Sequence, residues 1–213
     1  GFLADPTDPA DPYGSEPAHL RNLPAWEQIA HAGEKVSRTD FEYDQYPDGD
    51  EGGCTGLGSL LGRDTITGWT AVGHTRRGNL TIVRRWLDRP GRGSAAAEAV
   101  GRRAYDVAGN LRCETDPEGH ATTYGWDDNY GRPDANLSDG GDRGTFARPT
   151  LVRNALGHET RTQFDFETGR PVDQRDPNGV LTLLEYGDPL DRLTRVVHAA
   201  DVDKDIDTDP IAR

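Results

Sequence analysis

Apolar and polar residues alternate with a period of two along most of the second half of this chain, and short turns punctuate the alternation. Leu111, Cys113 and Thr115 share one parity while Arg112 and Glu114 share the other. Thr122, Tyr124 and Trp126 line up in the same way, as do Thr162, Phe164 and Phe166, then Thr182, Leu184 and Tyr186. Period two is the signature of a strand buried on one side. Thr39–Tyr43 and Leu80–Leu87 read as strands on the same ground, and Asp191–His198 as a last one. Gly56–Gly73 carries Thr65, Ile66, Trp69 and Val72 between glycines, a pattern of short strands. Pro24–Val36 predicts a short helix with proline at its start, interrupted at Gly33. Ser94–Ala99 predicts one helical turn inside a loop that begins at Arg89. Residues 1–23 are irregular, because Asp5-Pro6, Asp8-Pro9 and Asp11-Pro12 hold the backbone extended and remove ladder donors.

The turns repeat. A type I turn favours Asp or Asn first, Pro second and Gly fourth. Asp116-Pro117-Glu118-Gly119 and Asp176-Pro177-Asn178-Gly179 meet all three preferences; Asp106–Gly109 and Asn154–Gly157 meet two. Gly109 and Gly169 stand sixty positions apart, and so do Gly119 and Gly179. An internal repeat decides architecture before any single residue does. Turns ten to twelve positions apart leave arms of about six residues, an ordinary strand length. The expected fold is all-β, an antiparallel meander of short strands, broken by a Gly/Asp-rich insertion at 127–149.

The order of these motifs resembles the RHS/YD-repeat family. Tyr105-Asp106, Gly109-Asn110-Leu111, a strand, Asp116-Pro117 with Gly119, and a strand through Tyr124 and Trp126 to Asp127 form the best match. The second match runs from Asn154 to Val197, and weaker traces lie at Phe41–Asp44 and Arg77–Asp88, about half the chain in all. Three departures stand out: Phe164 sits where the family has Tyr, an extra residue precedes Gly169, and the insertion at 127–149 is unusual in length. The resemblance implies a segment of a β-shell, a spiralling sheet that in bacterial toxin systems encloses a C-terminal toxic domain. A similar shell serves cell-cell contact in animal adhesion proteins. It implies structural roles for Tyr105, Asp106, Gly109, Asp116, Pro117, Gly119, Tyr124, Asn154, Gly157, Phe164, Asp165, Gly169, Asp176, Pro177, Gly179 and Tyr186. It further implies a secreted or cell-surface setting, and as partners the remaining repeats and C-terminal domain of the same parent chain. The organisation expected is an irregular approach over 1–37, a repeat sheet over 38–198 and an acidic tail over 199–213. Some family members cleave themselves between two closely spaced Asp-Pro-x-Gly motifs; here the motifs stand sixty apart, so Asp116 and Asp176 are read as turn formers.

Composition fits a turn-rich wall better than a large globule. Hydrophobic residues without Gly make up 33% of the chain, with Gly 26 and Pro 14, against roughly 45–50% apolar in ordinary domains, a figure that also counts Gly. The net charge of −13 repels phosphate backbones and anionic membrane surfaces, so neither nucleic acid nor membrane insertion is expected. No apolar run approaches the eighteen or so residues of a membrane helix, and no leader pattern opens the chain. Methionine is absent, as expected of an excised or processed piece. Cys54 and Cys113 are the two cysteines, and sequence leaves their pairing open.

Nothing in the pattern calls for catalysis, a cofactor or a metal. His19, His31, His74, His120, His158 and His198 show no HxH or HExxH spacing. Asp201–Asp209 alternates carboxylates as a Ca²⁺ loop does, yet the required Gly and Glu places hold Ile206 and Ala212. Asp44, Asp48, Asp50 and Glu51 read better as a flexible acidic loop than as a cation site. Asn79 and Asn136 fit glycosylation sequons, which matter only in a eukaryotic secreted protein. The alternative function is a carbohydrate- or cell-surface-binding adhesion module. It would use the insertion or the aromatics Trp69, Trp86, Tyr124, Trp126 and Tyr186, for which stacking between strands is the simpler reading.

Overall fold

A computed structural model describes residues 22–45, 77–87, 98–106, 108–138 and 140–199. The expected strands at 56–73 and the acidic segments at 48–51 and 201–209 lie outside these residues. Eleven strands, paired in chain order, form an antiparallel meander. They are β1 Trp26–His31, β2 Glu34–Tyr43, β3 Leu80–Leu87, β4 Glu98–Tyr105, β5 Leu111–Thr115, β6 Ala121–Gly125, β7 Leu151–Arg153, β8 Glu159–Phe164, β9 Pro171–Arg175, β10 Leu181–Tyr186 and β11 Leu193–Ala199. No helix occurs among the described residues. Two compact units divide the chain, residues 1–122 and 123–213.

In the first unit the helix expected over 24–36 is a hairpin. Trp26–His31 pairs with Glu34–Asp40, joined by Ala32 and Gly33 at φ +51° and +85°. Positive φ at both central residues is the turn that matches strand twist. Among the described residues the sheet therefore begins at Trp26 rather than after position 37. Helix propensity lost here because the Pro24 start signal is weak and the chain reverses at a glycine. Glu98 and Ala99, expected in a helical turn, open β4 instead. Ala104 and Cys113 pack together in a small core with Ala121 against them.

Cys113 is fully buried and disulfide-bonded; Cys54 lies outside the described residues. Unfolded, unreduced protein is therefore expected to show no reactive thiol in an Ellman titration, and two after reduction. Two thiols without reductant would contradict this.

In the second unit Val172, Leu181 and Leu183 are buried beside two polar groups, Gln163 and Asp173, each with no exposed surface. The Gly/Asp-rich insertion at 127–149 forms, over its described residues, a flap. Tyr130 bridges Gly141 and Phe164. Its ring meets Phe166 edge-on at 5.1 Å, and Phe146 is buried at its C-terminal end. The flap's Asp and Asn residues are turn formers: Asp134, Asn136 and Asp142 each accept from the amide two positions on.

Candidate functional site: a repeated carboxylate-capped turn

Four turns share one hydrogen-bond pattern. At Asp116 the side-chain oxygen Oδ1 accepts from the amides of Glu118 and His120, both at 2.9 Å. The Gly119 amide donates to the Asp116 carbonyl (3.0 Å), and the Asp116 amide to the His120 carbonyl (3.1 Å). Asp176 does the same with Asn178 and Val180 (2.9 Å each). Asn154 does so with Leu156 and His158 (3.0 Å each), and Asp106 with Ala108 (2.9 Å) and Asn110 (3.0 Å). The glycine third after the cap, at 119, 179, 157 and 109, has φ of +87°, +82°, +80° and +83°. A side chain in that conformation is strained even where space is open, which is why the fourth position is glycine.

Sequence missed a fifth turn. Asp188 Oδ1 accepts from Leu190 (3.0 Å) and Arg192 (2.7 Å). Asp191, at φ +50°, takes the glycine place. The signal was the Asp188-Pro189 dipeptide, hidden because Asp191 was read as the start of a strand; β11 begins at Leu193. The extra residue before Gly169 gives a wider turn. Asp165 caps the Thr168 amide (2.8 Å) and hydroxyl (2.7 Å), and the Gly169 amide reaches the Asp165 carbonyl at 2.8 Å. Asp44 caps across a longer excursion. Its carboxylate takes the amides of Arg77 (2.9 Å), Gly78 (2.8 Å) and Asn79 (3.0 Å). The weak traces at Phe41–Asp44 and Arg77–Asp88 are thus two halves of one Tyr-Asp turn.

The tyrosines that lead into the caps at Asp44, Asp106 and Asp188 share a task. Tyr43, Tyr105 and Tyr186 donate their hydroxyls to the carbonyls of Pro24 (3.1 Å), Leu80 (3.1 Å) and Pro171 (3.0 Å) respectively. Each tyrosine thereby ties the end of its strand to the start of the strand before it. Pairing slips by one residue just before each: between Glu42 and Tyr43, Ala104 and Tyr105, Glu185 and Tyr186, and also Gln163 and Phe164. Such bulges re-aim a side chain. Burial raises the Tyr105 and Tyr43 phenol pKa values. Phe164 cannot donate; Arg148 lies over its ring at 5.5 Å instead. Tyr124 lies in β6, opposite Val152 on β7. Tyr105→Phe is expected to cost about 1 kcal/mol, one net hydrogen bond, read from urea unfolding; an unchanged midpoint would deny the tie.

No family model matches the chain, and no curated protein matches it. Solved structures do. Crystal structures of TcdB2-TccC3, with and without Cdc42, match 82% of this chain at 13% identity and a TM-score of 0.44. The Photorhabdus luminescens Tc holotoxin pore, with a substitution in TccC3, matches 57% at 18% identity and a TM-score of 0.33. The chain spans 8%, 8% and 5% of those chains.

Among the described residues, Asp116, Glu118 and His120 bring three metal-type donor atoms within 4.8 Å of one another. All three are exposed and come from a single turn. His120 folds back so that its Nδ1 meets Asp116 Oδ2 at 2.9 Å, where sequence placed it on a strand surface. Backbone and side-chain hydrogen bonds from His120 lower the Asp116 pKa. The hydrogen bond to Asp116 raises that of His120. The sign follows from each shift. A raised imidazole stabilises below its unfolded pKa and loses that as pH climbs through the folded one. A lowered carboxylate stabilises above its unfolded pKa and loses that as pH falls. The pair therefore contributes most between about pH 4 and 6.5. His120→Gln is expected to lower the stability–pH curve most within that interval, and an NMR titration to place the His120 pKa above that of a free histidine; a value at or below it would contradict the contact.

Proposed function

We propose that this chain is a wall segment of a large RHS/YD-repeat protein and works mechanically, without catalysis. In this reading it helps to enclose a C-terminal, toxin-type domain of the same bacterial parent chain, at the cell surface or outside the cell. The observation that carries the reading is the recurrence of one capped turn at Asp106, Asp116, Asn154 and Asp176. Each is joined to a strand that pairs only with its chain neighbours. A structure that spends its buried carboxylates on backbone amides is fixing turn geometry, and a meander so fixed can be extended strand by strand. The buried disulfide cysteine fits an oxidising compartment. Asp128 and Asn129 hold the flap from within, Asp128 through the Thr145 amide and Asn129 through Gln163 on β8, which fits a covering role.

The test is protease protection. In a parent chain that includes the region following residue 213, the downstream domain is expected to resist digestion while the wall is intact, and to become digestible when Asp128→Ala loosens it. Equal digestion in both would overturn enclosure, and binding of the intact protein on a glycan array would move the reading to adhesion.

A further inference from the structure

The first unit carries an open cleft of about 130 Å³ on the face of β3–β5 opposite the Ala104–Cys113 cluster. Its floor is Ala99 and Gly101, and its walls include Val83, Arg85, Arg103 and Glu114. Register creates the hollow: Val83 faces Gly101, Arg85 faces Ala99, and Arg103 faces Glu114. Two long guanidinium side chains thus flank positions that offer a methyl or a hydrogen.

The charge in the cleft is out of balance. Close arginine–carboxylate pairs occur elsewhere, as Arg84 with Glu42 at 2.6 Å and Arg161 with Glu159 at 3.0 Å, beside looser ones such as Arg170 with Asp191 at 3.9 Å. Arg103 reaches Glu114 only through Nε, at 3.5 Å. Arg85 forms no ion pair among the described residues, although the chain as a whole carries −13. Three arginines, Arg85, Arg102 and Arg103, line the cleft with one carboxylate, Glu114, and guanidinium forks bind carboxylates bidentately.

We infer that this cleft binds the side-chain carboxylate of an acidic protein segment seated on that face. The apolar lining of Val83 and Ala99 suits an acid carried on an aliphatic stem. Glu114 repels a phosphate dianion about twice as strongly as a single carboxylate at the same distance. The inference is independent of the shell reading.

The test is an amide-detected NMR titration of the full chain with N-acetyl-glutamate N-methylamide. The glutamine analogue and inorganic phosphate serve as parallel probes. Saturable shifts are expected at Ala99, Gly101 and Arg103 with the glutamate compound alone. Arg85→Gln is expected to weaken binding at least tenfold, and Arg85→Lys less. Gly101→Ala is expected to weaken it severalfold by raising the floor, since a Cβ there meets only the Thr115 oxygen, at 3.4 Å; the fold should therefore be kept. Equal response to the glutamine compound, a stronger response to phosphate, no saturable shift, or undiminished binding by a folded Arg85→Gln variant would each overturn the assignment.

Discussion

Replacing Asp128 by Ala is expected to cost about 3 kcal/mol or more and to open the flap at 127–149 while leaving the first unit folded. The Asp128 carboxylate accepts from the amides of Arg143 (3.1 Å), Thr145 (2.7 Å) and Phe146 (3.0 Å) and from the Thr145 hydroxyl (2.8 Å). Only 9% of the residue is exposed. Removing the acceptor strands several donors at once, each costing about 1–3 kcal/mol if it stays dry. Local opening lets water relieve part of that, so the visible result is a flap that proteases reach. Mass spectrometry of limited digests should find new cuts between 131 and 148 in the variant, and urea unfolding should give the loss. Asp128→Asn retains one acceptor oxygen and should fall between. A variant within about 0.5 kcal/mol of the native protein, cut no faster, would show that the flap is held by something else.

The second large effect separates turns that share a sequence pattern but differ in burial. Asp106 is 1% exposed and caps two amides, whereas Asp116 makes the same bonds at the surface. Asp106→Ala should cost about 2–4 kcal/mol, because it empties a buried site and orphans the partly buried amides of Ala108 and Asn110. Asp116→Ala should cost clearly less, since water replaces its carboxylate. Asn154 already fills this role with an amide oxygen, so Asp106→Asn should keep most of the stability. Equal losses at Asp106 and Asp116 would mean that burial does not set the worth of these caps.

The contrast shows what the residue string could reveal. Turns were legible because their determinants are local: an acceptor at the first position, Pro at the second, Gly at the fourth. Strands between them were legible from parity. The Tyr-Asp pairs were visible as a pattern, but their purpose was not, because the partner carbonyl of Tyr105 lies 25 positions away at Leu80. Asp128, Gln163 and Asp173 looked like surface residues. They are buried because a Gly-rich flap folds back over them, with Gln163 Nε2 bonded to Asn129 Oδ1 (3.1 Å) and the Asn136 carbonyl (3.2 Å). That is a long-range event with no periodicity to announce it. The Asp188 turn escaped because Asp191 stands in for glycine. The hairpin at Ala32-Gly33 escaped because composition near Pro24 favoured a helix.

The central claim is that the meander is one stretch of a longer wall. The outer edges of β1 and β11 carry no further strand among the described residues, and an open edge is a template for pairing. Hydrogen exchange at the β11 amides that face away from β10 tests this most directly, measured in residues 1–213 and in the longer parent chain. The account predicts fast exchange in the isolated segment and strong protection in the parent, where a following strand covers the edge. Equally fast exchange in both would contradict it.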